Sequence, residues 1–423
     1  MEKWLCGLMF AVVACGEGGH AVGHADGDAA GASAYAELEL SWEQLALGCA
    51  IMGEGTKAHV MCNHGHSLSL HNENLYERWL YLKAHGVADP NDLQLMMIGK
   101  VAGSTGELPA PLTPILRARA GERVRLRVVS YGPLFHTFHV HGHLWLDGGK
   151  LTDTHIMGPA EVYDDAEFYA GAGATSADPR AGEGDWMYHC HVETHMATGM
   201  WGIFRVHAKD SKESLGPDGK FPYEIPPLLG GPGQTVDVYV AAVEAPLAVA
   251  RAYAPATKQL DTIERLARLY VPLADEAAFA SATQAKVAAI VQKNSESWSP
   301  WVLALRQGTK VRVHLRNFIA GVPVSLHPHG VAYDNNNDGT MVHNIAQPAG
   351  SPVVYEWMAD SAGSWPLHDH ARTLENLGRG LFAAIVVKSA AEEQAIVRDY
   401  IVFLHDFDMD WFMGAAKPTG SGH

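Results

Sequence analysis

Cysteine is scarce in this sequence: five among 423 residues, too few for a disulfide-built scaffold. Long apolar runs are missing beyond the N-terminus, so no later segment reads as a membrane-spanning helix. Basic residues are in deficit, 31 Lys and Arg against 47 Asp and Glu. The resulting net charge of -16 argues against nucleic acid and anionic membrane surfaces as partners. Glycine (43) and proline (22) are plentiful and 47% of residues are hydrophobic, which fits turn-rich β-domains with substantial cores.

The few cysteines are placed informatively. Lys3 precedes an apolar stretch over residues 4–14 that ends Val12-Val13-Ala14-Cys15. That ending resembles a bacterial lipoprotein box with Cys15 as the lipidated residue; a simple secretory signal is the other reading. Either one exports the mature chain, to the cell envelope or periplasm if lipid-anchored and otherwise as a secreted protein. Residues 15–33, rich in Gly, Ala, His and Asp, read as a flexible tether. Cys6 lies in the signal and Cys190 between two histidines. Cys49 and Cys62 remain, either as a disulfide or as two buried thiols.

Beyond the tether the sequence divides. Residues 34–108 form an N-terminal extension with a helix expected near 73–85. Residues 109–208 alternate apolar and polar between Gly and Pro turns, as in Arg123-Val124-Arg125-Leu126-Arg127, and read as a β-domain. A Pro/Gly-rich linker follows at 209–234, then a second β-domain at 235–412. An Ala-rich insertion at about 260–293 is expected to be helical, and a 413–423 tail to be disordered. The two β-domains share a weak repeat: Gly121-Glu122-Arg123-Val124 against Gly308-Thr309-Lys310-Val311, and Gly184-Asp185-Trp186 against Gly363-Ser364-Trp365.

Four His-x-His doublets dominate the chemistry: His139/His141, His189/His191, His327/His329 and His368/His370. On a strand, residues i and i+2 share a face. His189 and His191 therefore face one way and Cys190 the other, so one strand can serve two metal sites a few bonds apart. His195 and Met200 follow Cys190 by five and ten, and His136 precedes the first doublet. Two histidines, a thiolate and a weak axial methionine are the ligands of a blue copper centre.

At this point the segments His136-Thr137-Phe138-His139-Val140-His141-Gly142-His143 and His189-Cys190-His191-Val192-Glu193-Thr194-His195 resemble the C-terminal copper signature of multicopper oxidases. His327-Pro328-His329-Gly330 and Trp365-Pro366-Leu367-His368-Asp369-His370 resemble their N-terminal signature. The resemblance implies an all-β fold of two cupredoxin-like Greek-key sandwiches and four coppers per functional unit. His136, Cys190, His195 and Met200 would hold type 1 copper. His139 and His327 would hold type 2. His141, His189, His191, His329, His368 and His370 would hold the type 3 pair. The order is inverted relative to most of the family, with the blue-copper domain first, as in two-domain laccase-like relatives that close into homotrimers. By the same resemblance Asp338 would relay protons and Tyr333 would lie near the cluster; a plain turn and ordinary packing are the alternatives.

The implied activity is oxidation of a small reductant, phenol-type or a metal ion such as Cu(I), Fe(II) or Mn(II), with O₂ as acceptor. Copper nitrite reductase has no type 3 pair, which counts against it. A non-catalytic electron carrier would leave the second-domain histidines without a purpose. Three features stay open. His59, Met61, Cys62, His64 and His66 read as an extra copper site or as a disulfide with exposed histidines. Asp164, Asp165 and Glu167 read as a cation-docking patch or a solvated acidic loop. His143 reads as a support for a ligand or as packing.

Overall fold

The computed structural model describes residues 49–52, 59–62 and 66–412, apart from 89, 173–181, 214–222, 341–343, 350 and 397. The expectations for the signal, Cys15, the tether, His64 and the 413–423 tail lie outside the described residues. So do the side chains of His59, Met61, Cys49 and Cys62, although the backbone register sets Cys49 opposite Cys62.

The chain forms two units. The smaller takes in Leu75–Ala110 and Tyr253–Leu260. Its helix, Leu75–Ala84, falls inside the stretch expected from sequence. Buried Arg78 is satisfied by carbonyls: its guanidinium donates to Leu95 (2.5 Å), Pro109 (3.0 Å) and Met97 (3.1 Å).

The larger unit holds two β-sandwiches. In the first, one sheet runs in the order Thr154–Met157, His136–Val140, Gly184–Cys190, Trp201–His207, Ile115–Arg119. The facing sheet runs Val162–Tyr169, Arg123–Tyr131, Arg398–Asp406, His66–Leu68. Phe138, Val140, Trp145, Phe168, Tyr188 and Phe204 fill the space between them. The second sandwich sets Gln259–Leu273, Thr235–Ala254, Thr309–Asn317 and Val353–Ala359 against Trp301–Arg306, Phe382–Lys388, Gly363–His368 and His327–Pro328. Strand Thr309–Asn317 shows the cause: Val311, Val313 and Leu315 alternate inward with partly exposed Lys310, Arg312 and His314. Each large apolar side chain buried this way contributes roughly 1.5–3 kcal/mol.

Two sequence expectations are corrected. The 260–293 insertion is helical only in its second half, at Glu276–Ala280 and Gln284–Lys293; its first half belongs to strand Gln259–Leu273. Apolar residues at 263, 266 and 269 mimic a helical spacing, but pairing beside Thr235–Ala254 and the run Leu269-Tyr270-Val271 favour the strand. The last strand, Arg398–Asp406, was expected in the second β-domain. It pairs in parallel with Arg123–Tyr131 and antiparallel with His66–Leu68, so the first sandwich is completed by strands from before and after it in the chain.

A buried polar seam joins the sandwiches. The fully buried Arg127 guanidinium donates to Asp399 (2.7 and 3.0 Å) and to the Ser364 hydroxyl (3.0 Å), and Lys388 lies 2.9 Å from Asp399. The Tyr131 hydroxyl donates to the Ala383 carbonyl (2.7 Å) and accepts from the Leu367 amide (2.9 Å). Removing one partner of a buried pair strands the other charge. Arg127→Ala is therefore expected to cost about 3–5 kcal/mol, read as a lower urea midpoint at unchanged slope.

Candidate metal centres

Strand alternation separates two kinds of site. Cys190 points into the first sandwich, and its Sγ lies 3.8 Å from His136 Nδ1 and 3.6 Å from His195 Nδ1, with the two nitrogens 3.2 Å apart. All three residues are buried. His195 is carried by the short helix Glu193–Ala197 directly after the strand. The Met200 amide donates to the His195 carbonyl, and the Met200 carbonyl accepts from the Cys190 amide, which ties the loop back to the strand. The Thr137 amide donates to Cys190 Sγ (3.4 Å). Burial, then the nearby His66 and His136, push His195 down to about 3. Burial also lowers His136, but the nearby Asp406 carboxylate and Cys190 outweigh it and raise the group to about 9.

The doublets build two four-histidine sets. His139, His141, His189 and His191 form one; His327, His329, His368 and His370 form the other. The sets repeat one design. His189 Nδ1 donates to the Cys190 carbonyl (2.8 Å) and its Nε2 faces His141 Nε2 at 3.1 Å. His368 Nδ1 donates to the Asp369 carbonyl (2.9 Å) and its Nε2 faces His329 Nε2 at 3.1 Å. His139 and His327 likewise donate through Nδ1, to the carbonyls of Asp153 and Asp338, both at 2.8 Å. A carbonyl only accepts, so in each neutral ring the proton sits on Nδ1 and the Nε2 lone pair is free. Burial and then neighbouring groups lower His189 to about 3 and His368 to about 4, keeping them neutral at pH 7. Among the described residues, no ring contact joins one set to the other.

The repeat noticed in the sequence now has a cause. The glycine after each first doublet lies under the tryptophan that precedes the second. A Cβ on Gly142 (φ +70°) would meet the Trp186 ring at 2.6 Å, and one on Gly330 (φ +64°) the Trp365 ring at 1.8 Å. Asp369 occupies the place that Cys190 has in the first doublet pair. Its carboxylate accepts from the Ser325 and Arg372 amides (both 2.8 Å) and the Asn376 amide group (2.9 Å), so it serves structure. His143 donates to the His141 carbonyl (2.9 Å), accepts from the Gly171 amide (3.0 Å) and packs on Phe168 and Phe204; it steadies the doublet from behind.

Asp338 lies beside the second set, its Oδ1 3.4 Å from His327 Nδ1. Tyr333, 37% exposed, hydrogen-bonds Asp338; burial first and then this carboxylate raise its hydroxyl. The acidic residues lie on strand Val162–Tyr169, where Asp165 is exposed and the other two are paired. Glu167 pairs with Arg123 (2.6 Å) and Arg125, while Asp164 lies 3.4 Å from Arg127 and accepts from the Ser364 amide (2.6 Å). His66, expected as an exposed histidine in one reading, is fully buried. It stacks on His195 with centroids 3.8 Å apart and pairs with Asp406 at 2.9 Å. Sequence reasoning missed Asp406, because no motif marks an aspartate more than 200 residues from the thiolate.

The donor sets fit copper. In each set two imidazole nitrogens converge to 3.1 Å, close enough to share a cation, and a cysteine sulfur with two imidazoles is a soft donor set. Two models of the multicopper oxidase family match residues 85–210 and 277–392, together more than half of the chain. A probable nitrite reductase-hydroxylamine oxidoreductase fusion protein of Kuenenia stuttgartiensis is 40% identical over 92 residues, covering 21% of this chain and 10% of that protein. Rat (Rattus norvegicus) hephaestin is 27% identical over 104 residues, covering 20% of this chain and 9% of hephaestin. The match thus spans about a tenth of either relative's length. Among solved structures, a multicopper oxidase from Campylobacter jejuni, described as a metallo-oxidase, is 16% identical with a TM-score of 0.27, covering 48% of this chain and 40% of that one. By the two family matches, the chain belongs to the multicopper oxidase family.

Proposed function

We propose that the protein oxidises a small phenol-type reductant one electron at a time and delivers four electrons to O₂, giving water. His136, Cys190, His195 and Met200 would hold type 1 copper. His139 and His327 would hold type 2, and His141, His189, His191, His329, His368 and His370 the type 3 pair. The observation that carries this reading is the pair of mirrored four-histidine sets, each with two rings held through Nδ1 to backbone carbonyls and two ring nitrogens converging to 3.1 Å. When bound, copper supplies the one-electron steps and the site for O₂.

The protein's own groups do the rest. Cys190 and its flanking peptide units link the two faces of one strand, so an electron arriving at the thiolate is a few bonds from His189 and His191. Reduction of O₂ to water consumes four protons, and Asp338, beside His327 and Tyr333, would pass them inward. Exposed Phe135, adjacent to His136, suits an aromatic reductant. With Asp164 and Glu167 committed to arginines, only Asp165 of the acidic trio is left exposed to a metal-ion substrate.

Neither set alone can complete a trinuclear site, and among the described residues no ring contact joins the two. We infer that each site joins the first set of one copy to the second set of another, in a ring-like homotrimer. His191 and Ile156, the latter on the strand beside His139, are exposed and would lie in that contact. We also propose an exported envelope protein, anchored through Cys15.

A second reading, nitrite reduction, is favoured by the name of the Kuenenia relative. One set of assays on purified protein separates them: copper per chain, thiolate charge-transfer absorption, and uptake of O₂ or nitrite with phenols or Fe(II) as donor. About four coppers per chain and O₂ uptake with phenols are expected. Nitrite loss without O₂ uptake would establish the second reading, and a single copper with neither would leave an electron carrier.

A further inference from the structure

The two imidazoles at the Cys190 site are gripped from outside by residues from opposite ends of the chain. Strand pairing sets Asp406 opposite His66. The Asp406 carboxylate takes His66 Nδ1 on Oδ1 (2.9 Å) and reaches His136 Nε2 with Oδ2 at 3.5 Å. That same Oδ2 accepts from the Leu134 amide at 3.2 Å, which places it against the loop leading to His136. Gly132 (φ +125°) permits the approach, since a Cβ there would lie 2.3 Å from Asp406 Oδ2. His66 in turn lies flat on His195, 3.8 Å between centroids and 28° between planes. Its backbone is tied to the ligand loop: Asn72 donates to the carbonyls of His66 and Thr198, and Trp201 Nε1 donates to the Glu73 carbonyl (2.6 Å). All of these side chains are buried.

Both histidines present Nδ1 to Cys190, so Nε2 of His136 is left to the carboxylate. The buried Asp406 carboxylate thus faces one imidazole nitrogen with each oxygen. A buried anion at the back of an imidazole makes that ligand a stronger electron donor.

Resting on the type 1 reading of this site, we propose that Asp406 and His66 are positioning residues for the copper ligands: Asp406 orients His136 and stabilises the oxidised metal, and His66 fixes His195 and moderates the charge of Asp406. The test is a redox titration of the charge-transfer band in the copper-loaded protein. Asp406→Asn keeps the shape and removes the charge, and its potential is expected to rise. His66→Phe keeps a ring over His195 and removes the proton donor, concentrating the anion on His136, and its potential is expected to fall. Unchanged potentials in the variants that retain copper would overturn the proposal. If Asp406→Asn fails to hold copper, the His66→Phe result decides alone. If His66→Phe also loses the metal while its unfolding midpoint stays near wild type, the pair is needed for ligand placement, as proposed; a collapse of both midpoints would show a folding role and overturn it. Absence of the band in the unaltered protein would instead sink the type 1 reading itself.

Discussion

Cys190→Ser is expected to bleach the thiolate absorption and cut turnover by on the order of 10³-fold or more, while copper stays on the two histidine sets. The reason lies in what the sulfur does twice. Its thiolate is the soft donor that His136 and His195 converge on, at 3.8 and 3.6 Å. Its backbone carries the link to His189, whose Nδ1 donates to the Cys190 carbonyl at 2.8 Å. Serine keeps the backbone and the imidazole sets intact, but its hydroxyl does not ionise near neutral pH and cannot supply the soft ligand. Copper should therefore fall by about one equivalent per chain. A hydroxyl placed where Cys190 is fully buried costs roughly 1–3 kcal/mol, so unfolding midpoints must accompany the activity measurement. Loss of all copper with an intact fold would mean that the ligands are wrongly apportioned.

What the sequence disclosed and what it hid have different physical origins. Strand periodicity is local, so the facing of Cys190 away from His189 and His191 could be read from three consecutive residues, and the β-domains from the alternation along residues 109–208. The Gly142–Trp186 and Gly330–Trp365 contacts left a trace as a repeat, although its cause, a ring packed where a Cβ would stand, needed coordinates. Long-range pairing left no trace. Nothing local tells that Arg398–Asp406 adds to the first sandwich, or that Asp406 meets a histidine 340 positions earlier. The 260–293 insertion failed for the opposite reason: its spacing was legible but ambiguous between helix and strand, and the neighbouring strand decided.

The inference that each trinuclear site is shared between copies leads to the largest qualitative effect. Take one variant with the first set broken, His141→Ala with His189→Ala, and a second with the other set broken, His329→Ala with His368→Ala. Each alone should be inactive, because the two 3.1 Å nitrogen pairs are what a type 3 pair would occupy. Co-expressed at equal levels and assembled at random, a site is whole only where an intact first set from one variant meets an intact second set from the other. That happens at about a quarter of the interfaces in a closed ring of like contacts. Activity should thus return to about a quarter of wild type, and the blue centre next to each restored site is intact because only the second variant supplies it. If sites were built within single chains, every chain in the mixture would carry one broken set and no activity would return. Complementation near zero, with mixed oligomers verified by differential tags, would refute assembly between copies, and the two histidine sets would then have to close on each other within one chain.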